Sequence, residues 1–228
     1  HNSAKTIHVM TEAMKLAYAD RAAYLGDPDF EYVPTEGLVS KKYANSLRIK
    51  MKLNKAIPST EIVPGKPIRF EGNETNHFSV VDEKGNAVAN TYTLNFTFGS
   101  KNVVPGTGII LNNQMDDFVS QKGKANAYGL VGYMSNTIGP EKRMLSSMAP
   151  TIVMKDNKPF LVTGSPGGAQ IITAVLQVIL NVIEHKMNLA EATNALRIHH
   201  QWIPDVLQTE RSLNADTKEK LVGLGHKI

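Results

Sequence analysis

His77-Phe78-Ser79-Val80-Val81, then Asp82-Glu83-Lys84-Gly85-Asn86, then Ala87 through Leu94, is the stretch on which the fold turns. The first run alternates as a strand, the second is a polar turn with a glycine, and the third returns as a strand. Together they read as an antiparallel hairpin. A second hairpin follows at Thr151–Met154 and Phe160–Thr163, joined by Asp156-Asn157-Lys158-Pro159. Between the two, Gly99 to Gly108 is a glycine-rich loop and Ile109-Ile110-Leu111 reads as a short buried strand. Asp117 to Arg143 is a long loop carrying Gly123, Gly129, Gly132 and Gly139.

The flanks are helical. From Ser3 to Tyr24, Ile7, Met10, Met14 and Tyr18 recur at helical spacing, which sets Glu12 and Lys15 outward. Gly26-Asp27-Pro28-Asp29 ends that helix, and Ser40 caps another through Tyr43, Leu47 and Met51. Ile57 to Glu74, with Pro58, Pro64, Gly65, Pro67 and Gly72, has no period and reads as an extended linker. Ala169–His185 is a long apolar helix, and Asn188 with Glu191 forms a capping box for a helix through Leu196. Asp205–Thr209 reads as a strand and Asp216–Leu224 as a last helix closed by Gly225. Hairpins followed by helices indicate a layered α+β protein, not an alternating parallel sheet. The chain opens directly into an amphipathic pattern and stops just past Gly225, so both ends are expected to be cut from a larger polypeptide.

Composition narrows the function. With 42% hydrophobic and 20% charged residues in 228, the chain is neither disordered nor fibrous. A net charge of +4, scattered along the chain, leaves no nucleic-acid footprint. No run approaches the ~18 apolar residues of a membrane span; the longest, Ile171–Ile183, is broken by Thr173, Gln177 and Asn181. The absence of cysteine removes disulfides, thiolate nucleophiles and Cys-ligated metals, leaving Ser, Thr, Lys or a carboxylate as nucleophile.

Asn73-Glu74-Thr75-Asn76-His77 is the conspicuous junction, where linker meets strand. If the bond before Thr75 is cut, the freed α-amine, of pKa about 7.7–8.0, is a general base for the residue's own hydroxyl. The plain alternative is a Thr that opens a strand. Thr163-Gly164-Ser165-Pro166-Gly167-Gly168 can offer backbone N–H groups to an anion at a helix start, or be a tight turn. It lacks the P-loop Lys and the GxSxG pattern, which makes Ser165 a poor nucleophile. Asn112-Asn113-Gln114-Met115-Asp116-Asp117 suits an ammonium, or a turn with Asx hydrogen bonds. Ser146-Ser147, after Arg143, could bind a carboxylate. His185, His199 and His200 lack metal spacing and read as packed or surface histidines.

Six strings in order resemble the γ-glutamyltranspeptidases, members of the N-terminal-nucleophile hydrolases. They are Tyr24 through Phe30, Thr75 through Ser79, Asn86 through Asn95, Leu111 through Phe118, Leu145 through Met148, and Thr163 through Gly168. The resemblance implies a four-layer αββα sandwich, here truncated at both ends. It also implies a precursor that cuts itself between Glu74 and Thr75. Residues 1–74 then match the end of the large subunit with its linker, and 75–228 most of the small, catalytic subunit. By the same match Thr75 is the nucleophile and Thr93 its hydrogen-bond partner. Asn95, Gln114 and Asp117 hold the donor's α-ammonium, Ser146 and Ser147 its α-carboxylate, Gly167 and Gly168 supply the oxyanion N–H groups, and Tyr128 is the gate of a lid. The family usually reads a second Thr where this chain has Asn76, and its carboxylate-clamping Arg lies upstream of any residue here.

The implied partners are glutathione or another γ-glutamyl donor, an amino acid, peptide or water acceptor, and the remainder of the large subunit. No cofactor, metal or nucleic acid is implied, and the family suggests a secreted or periplasmic bacterial protein. Two other readings stand beside it: an inactive truncated fragment or paralogue, and a phosphate- or nucleotide-binding module built on Thr163–Gly168.

Overall fold

The computed structural model describes residues 2–62, 75–121 and 124–228. Most of the expected linker, together with Glu74 and Gly123, lies outside the described residues. In chain order, helices α1 (Ala4–Tyr24), α2 (Thr35–Leu38) and α3 (Lys41–Lys50) precede a hairpin of β1 (Asn76–Val81) and β2 (Ala87–Tyr92). A second hairpin, β3 (Thr151–Lys155) and β4 (Lys158–Thr163), leads to α4 (Ile171–Ile183) and α5 (Leu189–Asn194). The short pair β5 (Ile198–His199) and β6 (Gln208–Thr209) and helix α6 (Ala215–Gly223) complete the order. Among the described residues the three strand pairs are antiparallel, in keeping with an α+β chain. Among the described residues no helix is long and apolar enough to cross a membrane. The chain forms two compact units.

The first unit takes residues 2–62, 117–121, 124–145 and 196–228. Ser3 caps α1, its Oγ accepting the Thr6 N–H at 3.2 Å. Ile7 and Met14 of α1 pack on Ile198, Leu207 and Leu221 in a buried apolar cluster. Helical spacing predicts Glu12 and Lys15 outward, and the structure reverses this: they are 1% and 2% exposed. Lys15 Nζ donates to Glu12 Oε1 at 2.9 Å and to the Ile57 carbonyl at 2.8 Å, and lies 3.6 Å from Asp205 Oδ1. Glu12 Oε2 accepts the Ile57 N–H at 3.2 Å. A charge is buried at tolerable cost only when opposite charge and hydrogen bonds surround it. Here distant segments of the chain supply both.

The same network explains why the strand expected at Asp205–Thr209 pairs only at Gln208–Thr209. Asp205 instead accepts from the Ser59 N–H at 3.0 Å and the Ser59 hydroxyl at 2.8 Å, and lies 3.3 Å from His200 Nε2. Burial would raise its carboxyl, but the bonds from His200 and Ser59, with Lys15, hold it well below the usual carboxylate range. The Trp202 indole N–H donates to the Ser59 and Ile62 carbonyls. His199 and His200 are packed, as the sequence suggests.

In the second unit, residues 75–116 and 146–195, β1 and β2 pair Asn76↔Tyr92 through Val81↔Ala87 without a bulge. Asp82 Oδ1 closes the turn by accepting the Lys84 and Asn86 N–H groups at 2.9 and 2.8 Å. The β3–β4 turn is tighter than the four residues expected. Asp156 and Asn157, both left-handed (φ 51° and 59°), make it alone, and the right-handed twist of the strands favours that geometry. Pro159 sits opposite Met154 beside a register shift, where its missing N–H is tolerated.

Helix α4 buries Thr173, Gln177 and Asn181 along with Ile171, Val175 and Val178. Its polar residues are satisfied by backbone: Gln177 Nε2 donates to the Thr173 carbonyl at 2.7 Å and Asn181 Nδ2 to the Ala192 carbonyl at 3.2 Å. Asn188 and Glu191 form the expected capping box of α5. The buried strand expected at Ile109–Leu111 is not one. Ile110 makes an isolated bridge to Val103, and Ile109 and Leu111 are exposed. That segment folds back on its own loop, the Leu111 N–H bonding the Asn102 carbonyl.

The buried histidines make the first unit sensitive to acid. Burial pushes His199 down to about 4, and burial with the nearby Lys15 charge pushes His226 down to about 3. In the unfolded chain both take up protons near pH ~6.5. The unfolded state therefore binds more protons below that pH, and stability falls between about pH 7 and pH 4. Thermal midpoints across this range should show the decline, and His199→Gln should flatten it. An unchanged slope in that variant would mean another group drives acid unfolding.

Candidate active site

Extending the β1–β2 register by one pair sets Thr75 opposite Thr93, with both side chains on the face that also carries His77 and Thr91. Thr75 is 8% exposed, and its hydroxyl lies 3.3 Å from Thr93 Oγ1, to which it donates. The Asn95 N–H donates to that same Thr93 oxygen at 2.9 Å. Asn95 itself is in the left-handed region (φ 76°), which Asn tolerates better than most residues. Asn95 Nδ2 in turn donates to the Asn113 carbonyl at 3.2 Å, and Asn113 Oδ1 accepts the Phe96 N–H at 3.0 Å. Gln114 is the next residue, its N–H held by Asn112 Oδ1 at 2.9 Å. The structure thus joins Thr75, Thr93 and Asn95 in one hydrogen-bonded chain that reaches the 112–114 loop. Asn113, which the sequence marked only as part of the polar Asn112–Asp117 cluster, is the member that links Asn95 to that loop.

The Thr163–Gly168 loop leaves the end of β4. Gly167 and Gly168 adopt φ 130° and 52°, and a 3-10 turn over Gly168–Gln170 then enters α4. Amides in the first turn of a helix lack intrahelical acceptors and suit an anion. The Ser165 hydroxyl is committed to the Pro166 carbonyl at 2.7 Å, which agrees with its being a poor nucleophile. Ser146 and Ser147 are half-buried just ahead of β3, and Ser146 Oγ accepts the Met148 N–H at 3.1 Å.

Asp117 and Tyr128 fall in the first unit. Asp117 closes the 3-10 turn Gln114–Asp117, and its carbonyl accepts from Asn136 Nδ2 at 2.7 Å. Tyr128 is half-buried; its N–H donates to Asn126 Oδ1 at 3.0 Å and its carbonyl accepts from Gln201 Nε2 at 3.0 Å. Arg143 is committed elsewhere in that unit. Its backbone N–H and Nε donate to Asp27 Oδ2 at 2.8 and 3.1 Å, and its second guanidinium nitrogen bonds both Asp27 and Asp29. Those bonds hold the Asp27 carboxyl well below the carboxylate range.

Among the described residues, His8, Glu12 and His226 come close enough to share a metal ion, a cluster that sequence spacing did not mark. Its chemistry is already balanced without one. Lys15 neutralises Glu12, and His8 Nε2 donates to the Lys52 carbonyl at 2.7 Å. In the neutral ring this leaves His8 Nδ1 to accept from His226 Nε2 at 2.7 Å.

The Thr75–Thr93 hydroxyl pair beside the β1–β2 hairpin fits the resemblance of the sequence to the N-terminal-nucleophile hydrolases. The comparisons with known proteins agree. The family model for gamma-glutamyltranspeptidase matches residues 1–228. The glutathione hydrolase proenzyme of Escherichia coli (strain K12) is 56% identical over 226 residues, covering 99% of this chain and 39% of its own length. A crystallised Helicobacter pylori gamma-glutamyltranspeptidase variant is 54% identical, with TM-score 0.65 over 67% of this chain and 82% of its own. A cephalosporin acylase from Bacillus halodurans, 29% identical, superposes on the whole chain with TM-score 0.80 over 38% of its own. The chain belongs to the γ-glutamyltranspeptidase family. It spans about two fifths of the length of the curated relatives it matches.

Thr93→Val keeps the shape of the side chain but removes the oxygen that meets Thr75 and the Asn95 N–H. Labelling of Thr75 by a γ-glutamyl-like electrophile, followed by mass spectrometry, should slow by about tenfold, the equivalent of one net hydrogen bond. A rate equal to that of the parent protein would show that the Thr93 contact is incidental.

Proposed function

We propose that this chain carries the nucleophile and most of the donor site of an enzyme that transfers or hydrolyses γ-glutamyl groups, with glutathione as the natural class of donor. The observation that carries this reading is the Thr75–Thr93 hydroxyl pair at the start of β1, at 3.3 Å, in a chain of this family. Thr75 Oγ first attacks the Glu74 carbonyl, and water then cleaves the resulting ester. The products are a Glu74 carboxylate and a free Thr75 α-amine. The division falls between residues 1–74, the large-subunit-like part, and 75–228, the small-subunit-like part. The word proenzyme in the names of the relatives supports a precursor of this kind.

In turnover the Thr75 α-amine takes the proton of its own hydroxyl as Oγ adds to the donor's γ-carbonyl carbon. The oxyanion that forms is met by the Gly167 and Gly168 N–H groups. Collapse expels the donor's amine, which takes the proton from the Thr75 α-ammonium, and leaves a γ-glutamyl ester on Thr75. Water or the amine of an amino acid or peptide then attacks the ester, and Oγ regains its proton. Asn95, Gln114 and Asp117 hold the donor's α-ammonium, Ser146 and Ser147 its α-carboxylate, and Tyr128 gates access. Two hydroxyls are weak partners for a carboxylate, and a bidentate Arg is the stronger one. Arg143 does not serve, because Asp27 and Asp29 already hold it.

Thr75→Ala should abolish both self-cleavage, read by intact mass, and release of a chromogenic γ-glutamyl anilide. Ser165→Ala should still form the acyl-enzyme. A covalent adduct that persists in Thr75→Ala would falsify the assignment.

Asp117→Asn tests how the donor is recognised. A hydrogen bond to a charged group contributes about 1.5–3 kcal/mol, so donor KM should rise roughly tenfold to a hundredfold. An analogue without the α-amine should be unaffected by the same change. Equal weakening of donor and analogue would make Asp117 structural.

A further inference from the structure

We infer that His77 is a positioning residue, whose ring, seated between the nucleophile hairpin and Gly164, sets where the Gly167–Gly168 amides stand relative to Thr75. The inference rests on the acyl-transfer reading above and adds to it a residue that touches neither donor nor oxyanion.

Three observations in the second unit converge on this ring. The first is register. His77 pairs with Thr91, one same-face step along β1 and β2 from the Thr75–Thr93 pair, so a shift of the ring is a shift of the hairpin that carries both threonines. The second is that both ring nitrogens are tied down. Nδ1 is 2.7 Å from Thr91 Oγ1 and Nε2 is 3.0 Å from Ser79 Oγ. A hydroxyl can donate or accept, so the imidazole is held at both edges in either tautomer. Burial favours its neutral form.

The third observation is the contact with Gly164. A Cβ at this position would lie 2.2 Å from His77 Cε1 and from Nδ1, and 2.6 Å from Cγ. The ring therefore lies directly on the loop backbone. Gly164 has no left-handed φ to account for its identity, unlike Gly167 and Gly168. Space alone requires glycine there. From Gly164 the loop runs three residues to Gly167. His77 thus links the two halves of the proposed chemistry, the hydroxyl on the hairpin and the amides on the loop. Oxyanion stabilisation depends steeply on that separation.

The test is a double-variant cycle in the full protein, with a chromogenic γ-glutamyl anilide as donor. Rates are divided by the fraction of chain self-cleaved, and folding is checked by thermal midpoint. Gly164→Ala drives a methyl into the ring and should lower kcat about a hundredfold, as a displacement of about 1 Å at a reacting centre does, with donor KM held within about threefold. His77→Ala should also lower kcat. In that background Gly164→Ala should cost less than about threefold, because the space it needs is empty.

Losses that multiply in the double variant, or losses carried by KM, would overturn the inference. If Gly164→Ala does not fold, Thr91→Val gives an independent readout. It frees Nδ1 without touching the loop, and kcat should fall about tenfold at constant KM, the loss of one net hydrogen bond; an unchanged kcat overturns the inference. Thr75→Ala, run in parallel, separates the two levels. Turnover in that variant defeats the acyl-transfer reading itself. A dead Thr75→Ala with multiplicative losses at 77 and 164 defeats only the role of His77.

Discussion

Antiparallel pairing of β1 with β2 is the constraint on which the candidate site depends. Side chains on a strand alternate between faces, so one register places Thr75, His77 and Ser79 together and sets Thr75 and His77 against Thr93 and Thr91. A slip of one residue would send each of these side chains to the opposite face. The Asp82 turn and the unbroken pairing from Asn76 to Val81 exclude such a slip. The segment leaving β2 inherits that precision. Thr93 Oγ1 receives the Asn95 N–H, and Asn95 fixes the 113 loop, so hydroxyl and polar loop form one connected piece.

The first unit solves a different problem, a helix whose buried side carries charge. Glu12, Lys15 and Asp205 share one buried network, and the backbone at Ile57 and the Ser59 side chain fill the remaining hydrogen-bonding positions. Among the described residues no buried side-chain nitrogen or oxygen lacks a partner. Breaking such a group by removing one ion typically costs about 3–5 kcal/mol, because the remaining charge stays buried. The network ties α1 to segments far along the chain, at Ser59, His200 and Asp205, and it holds residues at both ends of the sequence in one unit.

Arg143 is a charge whose use is set by the fold and not by its neighbours in sequence. It precedes Ser146-Ser147 by three residues and by type would suit a carboxylate. Its guanidinium instead grips Asp27 and Asp29 in the loop that ends α1. The Gly26-Asp27-Pro28-Asp29 string thus has a structural use: its acids pin the end of the long loop that begins at Asp117.

By itself the sequence determined the features that depend on near neighbours. Alternation and turn residues gave the hairpins at 76–92 and 151–163, the capping residues Ser40 and Asn188 opened α3 and α5, and Gly225 closed α6. Thr75 stood out as the residue where linker meets strand, whereas Thr93 and Asn95 were marked only because six short strings fall in the order of a known family. Only the tertiary structure decided which polar residues are inside. Periodicity treats Glu12 and Lys15 as solvent-facing, since nothing within a helical turn reveals that Ile57 and Asp205 will cover them. It likewise made a buried strand of Ile109–Leu111, because apolar runs show a preference for burial and not the presence of a neighbour. Partners more than about a hundred residues away, such as Asp27 for Arg143 and His226 for His8, are set by chain folding, and no local pattern encodes them.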